Sequence, residues 1–93
     1  SAYKRYEEQA IYFLTPKPKT PLAGRCRVVT VFYMKTRRKC DVSNCLEAAH
    51  DLLVKGRILA DDNYTIIESV DGSRVKYDKD NPRTEITIEE LEE

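Results

Sequence analysis

The stretch from Lys39 to Asn63, KCDVSNCLEAAHDLLVKGRILADDN, holds the pattern that decides the fold. Val42, Cys45, Leu46, Ala49, Leu52 and Leu53 recur at three- and four-residue steps, which predicts an amphipathic helix over 42–55. Gly56 is expected to end it as the C′ residue, and Asp41 or Ser43 to cap its start. One aspartate therefore opens the helix, and a second acidic pair, Asp61-Asp62, lies in the loop after it. Carboxylates brought together from those two places can hold Mg²⁺, a hard cation that prefers oxygen ligands and leaves room for phosphate and water. The competing roles are structural: an N-cap aspartate accepts backbone N–H groups without any metal, and Asp61-Asp62 can simply turn a loop.

Lys35, Arg37, Arg38 and Lys39 sit directly upstream of this stretch. Sixteen basic and sixteen acidic side chains cancel over the 93 residues, so only their distribution is informative. Arg25 to Cys40 carries six basic residues and no acid, whereas Thr84 to Glu93 carries five glutamates and no base. Such segregation suggests a positive surface suited to a polyanion. Acid for a metal beside base for a phosphate backbone is the residue chemistry of a metal-dependent nuclease.

Other chemistries fit less well. Cys26, Cys40 and Cys45 form an odd set with no signal peptide or long apolar run, which points to a soluble, cytoplasmic protein with reduced thiols. Cys40, Cys45 and His50 invite zinc, but their four-residue gaps are not a usual finger spacing and no fourth ligand is evident. They read as structural thiols and an ordinary histidine. His50 is the sole histidine and no nucleophile motif accompanies it, which argues against a triad hydrolase.

Outward from the central helix, Tyr3–Leu14 reads as a first helix, and PKPKTPLAG after Thr15 as a poorly helical connector exposing Lys17 and Lys19. Arg25–Thr36 reads as a strand with Cys26, Val28, Phe32 and Met34 on one face and Val29, Val31 and Tyr33 on the other, hence central or covered on both sides. Tyr64–Val70 and Arg83–Glu89 are expected strands. Arg74–Tyr77 either continues the strand before it past a bulge at Gly72 or returns from an Asp71-Gly72 hairpin. The expectation is one α+β domain over 1–93: helix 1–15, connector 16–24, core 25–89 and acidic tail 90–93. A small mixed sheet of three or four strands packs with two helices, and at this length a homodimer is favoured.

In this order the motifs resemble the RusA family of Holliday-junction resolvases, common in phages and prophages. The family's basic run and D-x-D-N is similar to Arg37-Arg38-Lys39-Cys40-Asp41-Val42-Ser43-Asn44; its apolar helix ending in glycine, to Cys45–Gly56; its D-D loop and strand, to Asp61–Ile67. Pro82–Ile88 is similar to its last strand, so the motifs span about residues 25–89. The resemblance implies an α+β homodimer in which acidic residues bind Mg²⁺, or Mn²⁺ in its place, and a metal-activated water makes two symmetric nicks in a four-way junction. It carries metal binding onto Asp41 and Asp62, places Asp61 beside them and makes Asn44 an orienting group. Phosphate contacts fall to Lys35, Arg37, Arg38 and Lys39, with Lys17, Lys19 and Arg25 as further candidates.

Two positions depart from the family pattern. Ser43 stands where the family has its second aspartate, and Glu47 where it often has a catalytic lysine. A neutral serine is a weaker ligand, which lowers Mg²⁺ affinity. Glu47, four residues on and on the same helix face, is a candidate to restore the missing charge as a metal ligand, or else an ordinary solvated glutamate. Family members also usually begin with a strand before the first helix; here the chain opens on the helix, so one sheet edge is expected to be exposed or filled by a partner chain. The leading expectation is a resolvase acting on branched DNA in recombination and repair. The alternatives are a catalytically impaired junction-binding or protein-interaction module, and a plain structural domain.

Overall fold

A computed structural model describes residues 18–91; the expected helix at Tyr3–Leu14 and Lys17 lie outside them. The β-branched and aromatic run CRVVTVFYM forms strand β1, Cys26–Met34. Its alternate residues Cys26, Val28, Thr30 and Phe32 are buried, and those between them are partly covered. Thr30 belongs to the buried row despite its hydroxyl and is fully enclosed.

Helix α1 spans Val42–Lys55, the span that the apolar periodicity predicts. It buries Ala49, Leu52 and Leu53. Leu53 shares one core with Cys26, Val28, Ile58, Leu59, Ile66 and Ile67, against which Ile86 and Ile88 also pack. Fully burying a leucine of this kind contributes about 1.5–3 kcal/mol.

The helix stop differs from expectation by one residue. Gly56 is the C-cap with an ordinary φ of −78°, and the left-handed residue is Arg57 at φ 62°. Arg57 N–H donates to the Val54 carbonyl at 3.0 Å and Ile58 N–H to the Leu53 carbonyl at 2.9 Å. That pair of bonds is a Schellman motif with arginine at C′, and Ile58 and Leu53 supply its apolar contact.

Three further strands follow: β2 at Ile67–Ser69, β3 at Arg74–Tyr77 and β4 at Arg83–Glu90. All three hydrogen-bond to β1. β2 runs parallel to it at Cys26↔Ile67, and β3 parallel from Val31↔Arg74 to Met34↔Tyr77. β4 lies antiparallel from Cys26↔Glu90 to Tyr33↔Arg83. A parallel neighbour needs a crossover, and α1 provides it between β1 and β2. The result is an α+β fold with a mixed four-stranded sheet and, among the described residues, one helix.

β2 and β3 are two halves of one interrupted edge, which decides for continuation past Gly72 and against a hairpin. Gly72 takes φ 94°, a backbone state that glycine tolerates. Ser73 then replaces the missing ladder bonds: its Oγ accepts the Thr30 N–H at 3.0 Å and donates to the Val28 carbonyl at 3.3 Å. The expected strand over 64–70 shrinks to 67–69 because Asn63 turns the chain first. Its carbonyl accepts the N–H groups of Ile66 and Ile67, and its Oδ1 accepts that of Thr65.

After β3 the chain crosses the end of β1 through residues 78–82. Asp78 Oδ1 accepts the N–H groups of Asp80 and Asn81, its Oδ2 pairs with Arg83 at 3.0 Å, and its own N–H reaches the Met34 carbonyl. The connector is tied down at Leu22, which bridges Leu59 and bonds Ile58 and Ala60.

Two stability changes follow. Ser73→Ala leaves the Thr30 N–H and the Val28 carbonyl without partners, and urea unfolding should show a loss of about 1–3 kcal/mol. Arg57→Gly relieves a non-glycine left-handed residue in an exposed position, and the same assay should show a gain of about 1 kcal/mol.

Candidate functional site

Asp41 stands at the N-cap of α1 with extended backbone, φ −84° and ψ 126°, but its carboxylate makes no capping hydrogen bond. Only its backbone carbonyl serves the helix, accepting the Cys45 N–H at 3.1 Å. The exposed carboxylate instead accepts the Asn44 side-chain amide at 3.4 Å. No acidic residue occupies the first turn, so the partial positive charge of the helix start acts on Asp41 and on any anion that approaches it.

Cys40 and Cys45 fall at N′ and N4, the positions where a staple side-chain contact forms across a helix start. Their thiols lie within hydrogen-bond reach, and burial, with Cys40 next, pushes the Cys45 thiol up. Both are free thiols, Cys40 exposed and Cys45 half-buried. Among the described residues, no three His, Cys, Asp or Glu side chains converge as a metal group.

The two residues of the acidic pair behave differently. Asp61 is committed to the loop: its Oδ1 accepts the Asp62 N–H at 2.7 Å and its Oδ2 accepts the Asn63 amide at 3.2 Å. The Asp62 N–H holds its carboxyl below the ordinary carboxylate range. Asp62 is exposed, and its side chain lies within hydrogen-bond reach of that of Asp61. Its charge also reaches His50, whose pKa burial pushes down and Asp62 partly restores. His50 Nε2 is enclosed without a hydrogen-bond partner among the described residues. This approach of His50 to the acidic loop was not legible from spacing, since the two residues are twelve apart and joined only through the turn after α1.

The basic residues divide by partner. Arg25 makes a two-pronged ion pair with Glu68 at 2.8 and 3.0 Å, and Arg27 pairs with Glu89 across the β1–β4 ladder. Lys19, Lys35, Arg37, Arg38 and Lys39 are exposed. Arg37 lies 4.1 Å over the ring of Tyr77, and the Arg38 N–H donates to Thr36 Oγ1 at 3.4 Å.

Comparison with known families finds that the model for Endodeoxyribonuclease RusA matches residues 1–89. The chain belongs to the RusA family. No curated protein matches it. The match reaches further toward the start than the motifs between 25 and 89. RusA proteins are endodeoxyribonucleases that act on Holliday junctions and generally depend on a divalent metal. No helix among the described residues is long and apolar enough to cross a membrane.

The RusA pattern can be set against the geometry. Asp41 and Asp62 are exposed carboxylates, and that of Asp41 is not consumed by capping, which fits the hard oxygen donors that Mg²⁺ prefers. They flank a helix of fourteen residues, about 21 Å long at 1.5 Å per residue. Ser43 and Glu47 are exposed.

This division of roles is measurable. Asp41→Ala should leave thermal unfolding within about 0.5 kcal/mol of the parent, since no cap bond is lost. Asp61→Ala should lower the midpoint by loosening the loop. The lowered carboxyl of Asp61 means that its contribution is present above the ordinary carboxylate range and is lost as pH falls through the folded value. The gap between parent and Asp61→Ala should therefore close in acid, below about pH 4.

Proposed function

We propose that the chain is a Mg²⁺-dependent endonuclease that resolves four-way DNA junctions in recombination and repair, with Mn²⁺ able to substitute. The observation that carries this reading is that Asp41, at a helix start where aspartate ordinarily caps, keeps its carboxylate out of the cap. Asp41 and Asp62 would hold the metal, which when bound supplies an activated water and neutralises charge on the scissile phosphate. Asn44 positions Asp41 through its side-chain amide, and Asp61 positions Asp62 by fixing the backbone between them. Lys35, Arg37, Arg38 and Lys39 hold the phosphate backbone close to Asp41, with Lys19 as a more distant contact; contacts of this kind set position without reading sequence.

The family reading carries with it a homodimer as the working unit. That arrangement suits two paired nicks. Phage or prophage origin and action in the cytoplasm follow from the same family reading. The alternative is a RusA-like protein that binds junctions without cutting them. It is favoured by Ser43, which removes one carboxylate from the family's pattern.

Incubating the protein with a labelled four-way junction in Mg²⁺ or Mn²⁺ and resolving strands on a denaturing gel separates the two. We expect paired symmetric nicks, reduced at least about 100-fold by Asp41→Asn and by Asp62→Asn, and about 10- to 100-fold by Asn44→Ala. Retarded but uncut junctions, converted to cut ones by Ser43→Asp with Glu47→Lys, would replace the nuclease by the binding module.

A further inference from the structure

The fold sorts its cations into two groups. Arg25, Arg27, Lys55 and Arg83 are each neutralised by a carboxylate: Glu68, Glu89, Asp51, and Asp78 with Glu85. Arg37 and Arg74 contact uncharged groups instead, and Lys76 stands at the outer edge of contact with a ring that Arg83 covers at 3.7 Å. Arg37 lies over the Tyr77 ring at 4.1 Å, Lys76 Nζ is 6.0 Å from the centre of the Tyr33 ring, and Arg74 Nε reaches the Gly72 carbonyl at 3.4 Å. None of the three has a carboxylate partner among the described residues.

Two of these cations lie on one strand, and the third, Arg37, packs on the Tyr77 ring, which alternation puts on the opposite face of that strand from the other two. Arg74 and Lys76 are exposed residues of β3, and Tyr77, which carries Arg37, is the next residue. β3 hydrogen-bonds to β1 alone among the described strands. Arg74 and Lys76 register against Val31 and Tyr33 and so stand on the same face, about 6.6 Å apart along the strand. Arg37 on its ring and Arg74 on its carbonyl keep their full charge while losing part of their conformational freedom, which lowers the ordering needed to grip an anion.

We propose that β3 is a second phosphate-backbone contact, in which Arg74 and Lys76 hold one strand of a duplex arm of the branched DNA and Arg37 joins this edge to the basic loop before Asp41. It rests on the reading that the chain binds branched DNA, and it adds to that interface two residues that lie between the quoted motifs. Edge strands also carry basic residues merely to deter pairing with other strands. A residue with only that task adds nothing to the salt dependence of DNA binding.

The test is the affinity of the full chain for a labelled four-way junction between 50 and 200 mM NaCl, with EDTA present so that nothing is cut. Each phosphate contact adds about 0.9 to the slope of log affinity against log salt. For Arg74→Gln with Lys76→Gln the slope should fall by about 1.8, so that over this range the parent loses about 12-fold more affinity than the variant. Arg74→Lys with Lys76→Arg should keep the parent slope, and a thermal midpoint matched to the parent certifies that the glutamine variant is folded. A glutamine variant with the parent's slope, alongside a reduced slope for Arg38→Gln with Lys39→Gln, overturns the β3 contact and leaves the basic loop standing. A parent chain with no salt-dependent junction binding overturns both readings.

Discussion

Every other strand of the sheet hydrogen-bonds to β1, so the pairing capacity of that one nine-residue strand is the constraint on which the rest depends. Its antiparallel side is filled by β4 along almost its full length. Its parallel side is filled in two instalments, β2 and β3, with Gly72 and Ser73 between them. A β-branched residue at position 72 would not accept the positive φ, and a residue without a hydroxyl at 73 would leave two buried backbone groups unpaired. The side chain of Ser73 thus acts as a piece of backbone, and it keeps the two short strands on one edge.

The helix and the central strand were legible because a strong period and a clear stop signal agree over 42–55, and because the run CRVVTVFYM has few other fates. What was not legible depends on single hydrogen bonds. Gly56 marks the helix end but does not take the left-handed conformation; Arg57 does, one residue later, where the Schellman bonds to Val54 and Leu53 can form. Tyr64, Thr65 and Ile66 have strand-like composition, yet Asn63 captures the Thr65 N–H and turns the chain first. Thr30 falls in the buried row by strand alternation, despite its hydroxyl.

The candidate site was legible as residue types and not as roles. Asp41, Asp61 and Asp62 are equivalent carboxylates in sequence. In the fold Asp61 is bound to two donors of its own loop, while Asp41 declines the cap that its position offers. That difference rests on side-chain rotamers at a helix start and in a three-residue turn, which no spacing encodes. The proximity of His50 to Asp62 was hidden for the same reason, since it depends on how the chain folds back after α1.

The charge pattern reverses a simple expectation. Sequence separates a basic segment, 25–40, from an acidic one, 84–93, as if to leave a positive surface. The antiparallel β1–β4 ladder lays the first half of one against the other, so Arg27 meets Glu89 and the N-terminal half of the basic segment is neutralised. Arg25 is lost to Glu68 on the opposite edge. The residues after β1 escape because β4 begins only at Arg83, opposite Tyr33, and because Asp78 and Glu85 are already taken by Arg83. Salt bridges at exposed positions contribute little to stability; their larger effect here is to decide where positive charge remains. A chain of zero net charge can in this way present a positive end beside Asp41, and the register of two strands, more than composition, sets where a polyanion meets it.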